Sequence, residues 1–271
     1  MKSTMRLIGI IAIAAIIGFT MAACGDDDDK LPPAGDGSIS SFPLTGDVYI
    51  YDHIDDFKKY NGSEIDLSYV FLHEEDEDGY YDHYLVQLSD FGTGTWEVKV
   101  TNSGLSLRLG TPSNEHLENA SLSPFSATGG LALFGAIQYF LDSNDDYQLT
   151  WRNPYANASI GFVYANKNGN VSGKYQEYCE FCEIYHIIII NWDLKQGWNT
   201  VIGAETWSEN SDTLTLVTGK PGNNFLWILR DYSSYYNQVL PNMAISSTNT
   251  TTADNVQSKK CEIRRRFLFK N

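Results

Sequence analysis

The chain has 271 residues, with 34 Asp and Glu against 19 Lys and Arg and a formal charge of −15. Such a charge repels phosphate backbones and excludes nucleic acid as a partner. With 42% apolar residues, among them 17 Tyr, 13 Phe and 6 Trp, the sequence can bury a large core.

In chain order, Lys2 and Arg6 precede an apolar run from Leu7 to Phe19. The run is too short to span a bilayer, which takes about 20 residues, and fits a secretory signal. It ends in Met21-Ala22-Ala23-Cys24. This resembles the lipobox of bacterial lipoproteins, with Met21 where Leu is usual. The resemblance implies a signal peptide over 1–23 and a palmitate-type acyl anchor on Cys24. Gly25 in place of Asp lacks the inner-membrane retention signal, which points to the outer membrane. A flexible acidic tether is expected over 24–43, because Asp26 to Asp29 repel one another and cannot build a core.

Period-two alternation, the mark of half-buried strands, then recurs along the chain. It covers 47–51, 65–72 and 81–88. Over 94–101 it sets Trp96, Val98 and Val100 on one face and Thr95, Glu97 and Lys99 on the other. Gly104 turns that strand into 105–109, a hairpin. Ile54, Phe57 and Lys58 have helical spacing, stopped by Asn61-Gly62. A polar stretch over 111–130, with Pro112, Pro124 and Gly129-Gly130, separates two units. Further strands are expected over 131–141, 147–152, 160–165, 171–178, 184–192, 198–202, 213–217 and 225–229. The run Ile187-Ile188-Ile189-Ile190 has no polar face and reads as a central strand buried on both sides. The expected fold is therefore mainly β and antiparallel, β-sandwich-like, with two small units over 44–110 and 125–235. The Ser/Thr/Asn-rich end reads as a disordered basic tail over 246–271, with Lys259, Lys260 and Arg264 to Arg266.

The segment Val163 to Tyr175, followed by Asp193 to Asn199 with its Gly197-Trp198-Asn199, resembles uncharacterised lipoproteins of spirochaetes and some other bacteria. That resemblance implies export and a β-fold, and it implies no activity. Physically, Gln196-Gly197 reads as the turn of a hairpin, Trp198 as a packing anchor and Asn199 as a turn residue.

Few residues carry reactive chemistry. Cys179-Glu180-Phe181-Cys182 is a CxxC in an exported chain, where disulfides persist. Strand-like flanks deny it the helix start that a redox thiol needs, so a structural role is the expectation, either a small disulfide between Cys179 and Cys182 or free thiols. With His186 it would still lack a fourth zinc ligand. Cys261 is the remaining thiol. Asp142, Asn144 and Asp146 place oxygens at alternate positions, the start of a calcium loop without its distal Glu. The acids of 74–78 fall in a loop, where they stay hydrated. His53, His73, His83, His116 and His186 form no HExxH, and no G-x-S-x-G elbow or phosphate loop is present. No cofactor and no catalytic residue is expected. The aromatics Trp96, Trp151, Trp192, Trp198, Trp207 and Trp227, with Tyr232, Tyr235 and Tyr236, are core anchors or a sugar-binding strip.

The expectation is a lipid-anchored cell-envelope protein that binds or displays. Its partners are the membrane, through the lipid, and a glycan or envelope protein. The alternatives are a carbohydrate-binding lipoprotein of an uptake system, marked by exposed coplanar rings, and a secreted hydrolase, marked by a cleft that gathers acids or His from both units.

Overall fold

A computed structural model describes residues 33–232 apart from 53–55, 76–80, 122 and 180–182. The signal, Cys24 and the basic tail lie outside them. The described chain is mainly strand. First come β1 (Leu44–Gly46), β2 (Val48–Asp52), β3 (Asp56–Lys59), β4 (Ile65–Asp66), β5 (Tyr69–Glu75) and β6 (Tyr81–Gln87). Short elements follow: β7 (Gly92–Thr93), β8 (Glu97–Thr101), β9 (Gly104–Arg108), β10 (Thr111–Pro112), β11 (Glu118–Asn119) and β12 (Ser126–Ala127). The long strands come last: β13 (Ala132–Ile137), β14 (Tyr139–Leu141), β15 (Tyr147–Asn153), β16 (Ala158–Ala165), β17 (Gly169–Cys179), β18 (Ile184–Leu194), β19 (Gly197–Trp207), β20 (Ser211–Thr218) and β21 (Leu226–Asp231).

The large sheet runs β12-β17-β18-β20-β19-β16-β15-β14-β5-β6, with β13 joined to β16 and β21 to both β15 and β2. A register break between Phe134 and Ile137 lets β13 pair with β16 while β14 pairs with β15. A smaller sheet, β1-β9-β8-β4, packs against the large one and completes a sandwich-like fold. In it, the expected alternation holds: Val98 and Val100 are fully buried while Glu97 and Lys99 are half-exposed. Two pairings depart from an antiparallel sheet, since β18 runs parallel to β20 and β2 parallel to β21.

The main core lies between the sheets. Leu105 and Leu107 of β9 meet Phe134, Phe162 and Trp198 of β13, β16 and β19, with Leu149, Trp227 and Leu229 beside them. The stretches 44–110 and 125–235, expected as separate units, thus share one core, and they pair strands through β2 with β21 and β5 with β14. The stretch 111–130 is no linker. With the adjoining Leu131 it covers the opposite face of the large sheet, where Ala120, Phe125 and Leu131 pack on Val163, Ile188, Ile190 and Leu216.

Three further expectations are corrected. Phe57 and Lys58 lie in strand β3, paired with β2, because an available sheet edge outweighs three residues of helical spacing. Ile188 and Ile190 are buried, but Ile187 and Ile189 on the other face are only half-buried. Most importantly, β18 and β19 form no hairpin, for β20 lies between them, parallel to one and antiparallel to the other.

The chain therefore arches over the end of β20. Asn199, fully buried, accepts a hydrogen bond from the Lys195 N–H at 3.0 Å and donates to the Lys195 and Gly197 carbonyls at 2.8 and 2.9 Å. Gly197 takes φ 98°, open to glycine and strained for other residues. The amino-terminal segment closes against this arch: Thr200 N–H donates to Gly37 and Ile39 N–H to Trp198, while Gly35 N–H donates to Thr218. A side chain on Gly37 would collide with the Thr200 carbonyl.

One shared core makes Leu107→Ala a global lesion, costing about 3 kcal/mol. Hydrogen exchange is expected to quicken equally for amides of β8 and β16. Undiminished protection in β16 would contradict the shared core.

Candidate functional site

The residues singled out in the sequence are placed apart. Asp142 is a turn residue: its carboxylate accepts the Tyr147 N–H at 2.7 Å and the Asn144 N–H at 3.3 Å, closing the β14–β15 turn. Asn144 is exposed and Asp146 half-buried beside it. Among the described residues, no group of three His, Cys, Asp or Glu side chains is arranged to hold a metal. Asp145 sits at φ 58°, and burial pushes its carboxyl above the usual range, with Asp142 and Asp146 adding to the shift. A carboxyl harder to ionise when folded penalises folding above its titration range, and the penalty vanishes as it protonates. Asp145→Asn is therefore expected to stabilise the chain by about 0.5 kcal/mol at neutral pH, since Asn also tolerates positive φ. The gain should fade in urea melts as pH falls through the carboxylate range. A gain that persists in acid would sink the charge argument.

Cys179 is the last residue of β17, opposite Ile184 of β18, so a strand rather than a helix start carries it. Cys182, Cys261 and His53 lie outside the described residues, as do Tyr235 and Tyr236. His73 and His83 are direct cross-strand partners in the β5–β6 register. His116 meets Phe91 edge-on at 5.4 Å. Most aromatics serve the cores. Trp198 donates its indole N–H to the Gly110 carbonyl at 2.7 Å and meets Trp96 and Phe134 edge-on, the anchor role its sequence suggested. Trp151 stacks on Trp227 at 4.6 Å. Trp192 is buried and Tyr232 is half-buried.

What the arch brings together is different. At one end of the large sheet lie the turns 154–157, between β15 and β16, and 208–210, between β19 and β20, with Glu183 at the start of β18 on the same side. Glu205 N–H donates to the Asn157 carbonyl and Tyr185 N–H to the Asn210 carbonyl, both at 2.9 Å, which fixes the turns side by side. Asn157 also donates to the Glu205 carboxylate at 2.7 Å.

This end carries four of the five large apolar side chains that stand most exposed among the described residues: Tyr155, Tyr178, Tyr185 and Trp207. Trp207 is 61% and Tyr155 73% exposed. Tyr178 and Tyr185 pair across β17 and β18, their ring centres 5.0 Å apart and their planes tilted by 59°. The residues around them are mostly acidic, with Arg152 of β15 within electrostatic reach of Glu205. Runs 177–186 and 205–212 contain Glu177, Glu180, Glu183, Glu205, Glu209 and Asp212 and no Lys or Arg. Only Trp207 among these rings was expected. Tyr155, Tyr178 and Tyr185 give themselves away solely by adjoining turns, a signal too common to single them out.

Beneath the rings lies a polar row on one face of the sheet, Glu177, His186 and Asp212, from β17, β18 and β20. His186 Nδ1 and Asp212 Oδ2 are 3.4 Å apart, their side chains 10% and 2% exposed. Glu177 accepts the Tyr175 hydroxyl at 2.8 Å. Burial first, and then that bond, push the Tyr175 phenol up to about 12. The row can orient an imidazole, and it comes from one sheet rather than from two facing walls.

The buried pair has a measurable signature. Asp212→Ala is expected to cost about 2 kcal/mol in urea denaturation, because it removes a buried polar group that faces the imidazole. Replacing His186 and Asp212 together by Met and Leu should cost far less than the two single changes added. Additive losses would mean that the two side chains do not interact. No known protein-family model, curated protein or solved structure matches this chain.

Proposed function

We propose that the chain is a lipid-anchored cell-envelope protein that binds or displays rather than catalyses. Two features support the reading. The Met21-Ala22-Ala23-Cys24 run follows a signal-like apolar segment and supplies a thiol for acylation. The carrying observation is polarity along the strands. Residues 35–39 join the body at the arch, while the exposed rings lie at the other end of β18 and β19. Strands of 11 residues separate the two poles by about 35 Å.

An anchor at Cys24 thus leaves the aromatic pole facing away from the membrane that holds it. Exposed Tyr and Trp rings at such a pole suit contact, because they bring large, rigid area with little entropy to lose. The carbohydrate-binding alternative draws less support. Sugars stack on rings that lie in a common plane, and Tyr178 and Tyr185 are tilted by 59°.

The anchor is tested in cells fed labelled palmitate. The natural chain is expected to take up label and to sediment with membranes, and Cys24→Ala to lose both properties. Label retained by Cys24→Ala would overturn the reading.

A further inference from the structure

We infer that the aromatic pole is a docking site for a cationic protein segment, with Lys or Arg side chains laid on Tyr178, Tyr185 and Trp207 between the carboxylates of Glu183 and Glu209. The inference rests on the reading of that pole as the outward binding end. Its first support is charge complementarity. The sequence runs 177–186 and 205–212 carry six acids and no Lys or Arg, so this end stays acidic in sum beside Arg152, which lies within reach of Glu205. Glu177 and Glu205 are already held, by Tyr175 and Asn157, while Glu183 and Glu209 are exposed and can meet a partner.

The second support is ring geometry. A cation is drawn to the face of any exposed Tyr or Trp and needs no common plane. The tilt of Tyr178 against Tyr185 suits a side chain that approaches each ring separately. Trp207 lies on the opposite face of the sheet end, since it pairs with Asp212 while Tyr185 pairs with Ser211. An extended chain crossing the turns reaches both faces. Its alternate side chains fall on Tyr185 and Trp207 while its backbone passes over 208–210. Anionic partners, phosphate-bearing lipids included, are repelled by the same carboxylates.

The test uses the full lipidated chain in vesicles of neutral lipid, with poly-L-lysine as probe and poly-L-glutamate and a neutral glucan as comparisons. Tight binding of poly-L-lysine alone is expected. Tyr178→Ser with Tyr185→Ser should weaken it about tenfold, and so should Glu183→Gln with Glu209→Gln. Glu64→Gln with Glu115→Gln removes two exposed acids outside these turns and should change binding less than twofold. Every side chain altered is exposed or at the surface, so unfolding midpoints should hold. The carboxylate variant serves alone if the ring variant unfolds. Equal weakening by all three pairs would show attraction by net charge only and overturn the inference. Preferential binding of the glucan would also overturn it, while leaving the outward pole as a binding end. Failure of the anchor itself appears separately, in the palmitate label.

Discussion

The architecture depends on the arch of residues 193–200 over the end of β20. Without it, β18 and β19 would close into an ordinary hairpin and β20 would have no place between them. Asn199 holds the arch through three hydrogen bonds in a fully buried setting. Each is worth about 1 kcal/mol net, and leaving such groups unpaired costs more. Thr200 extends the fastening, its hydroxyl 2.7 Å from the Gly219 carbonyl and 3.0 Å from that of Gly37. Two ends follow from one constraint. The amino-terminal segment is stitched to the arch, and the start of β18 is brought beside the β19–β20 turn at the far end, where Tyr185 N–H meets the Asn210 carbonyl.

The aromatic residues then divide by position along the strands. Those near the middle and at the arch, such as Phe162 and Trp198, fill the space between the sheets, where rings bring the largest buried area per residue. Those at the turns have no second layer above them and stay in solvent. The His186–Asp212 pair marks the boundary, polar and buried, immediately before the exposed ring of Tyr185. A polar pair at this position restricts the register of β18 against β20, because a slip by one residue would place both side chains on the opposite face.

Much of the strand content was legible because period-two alternation reports a half-buried strand directly. The 94–109 hairpin is the clearest case, with Gly104 at φ 116° where the sequence placed its turn. Long-range pairing was not legible. Nothing in Lys195-Gln196-Gly197 distinguishes a hairpin from an arch, since that choice is made by β20, which comes later in the chain. The same holds for Ile187 and Ile189, whose half-exposure depends on there being no layer over that face among the described residues. The proline- and glycine-rich stretch 111–130 misled for a different reason. Its composition resembles a linker, but Ala120 and Phe125 cover a sheet face that local patterning could not reveal. The site was the least visible part, because Tyr178 and Tyr185 acquire meaning only once the turns stand together.

The central claim is that the anchored end and the aromatic end are opposite poles. It is tested most directly by quenching Trp207 in the lipid-anchored chain on vesicles, taking the emission lost in Trp207→Phe as its signal. The account predicts quenching by iodide in solution and none by nitroxide-labelled lipid, since the ring stands about 35 Å from the arch. Quenching by the labelled lipid, with shielding from iodide, would place the aromatic pole on the membrane and contradict it.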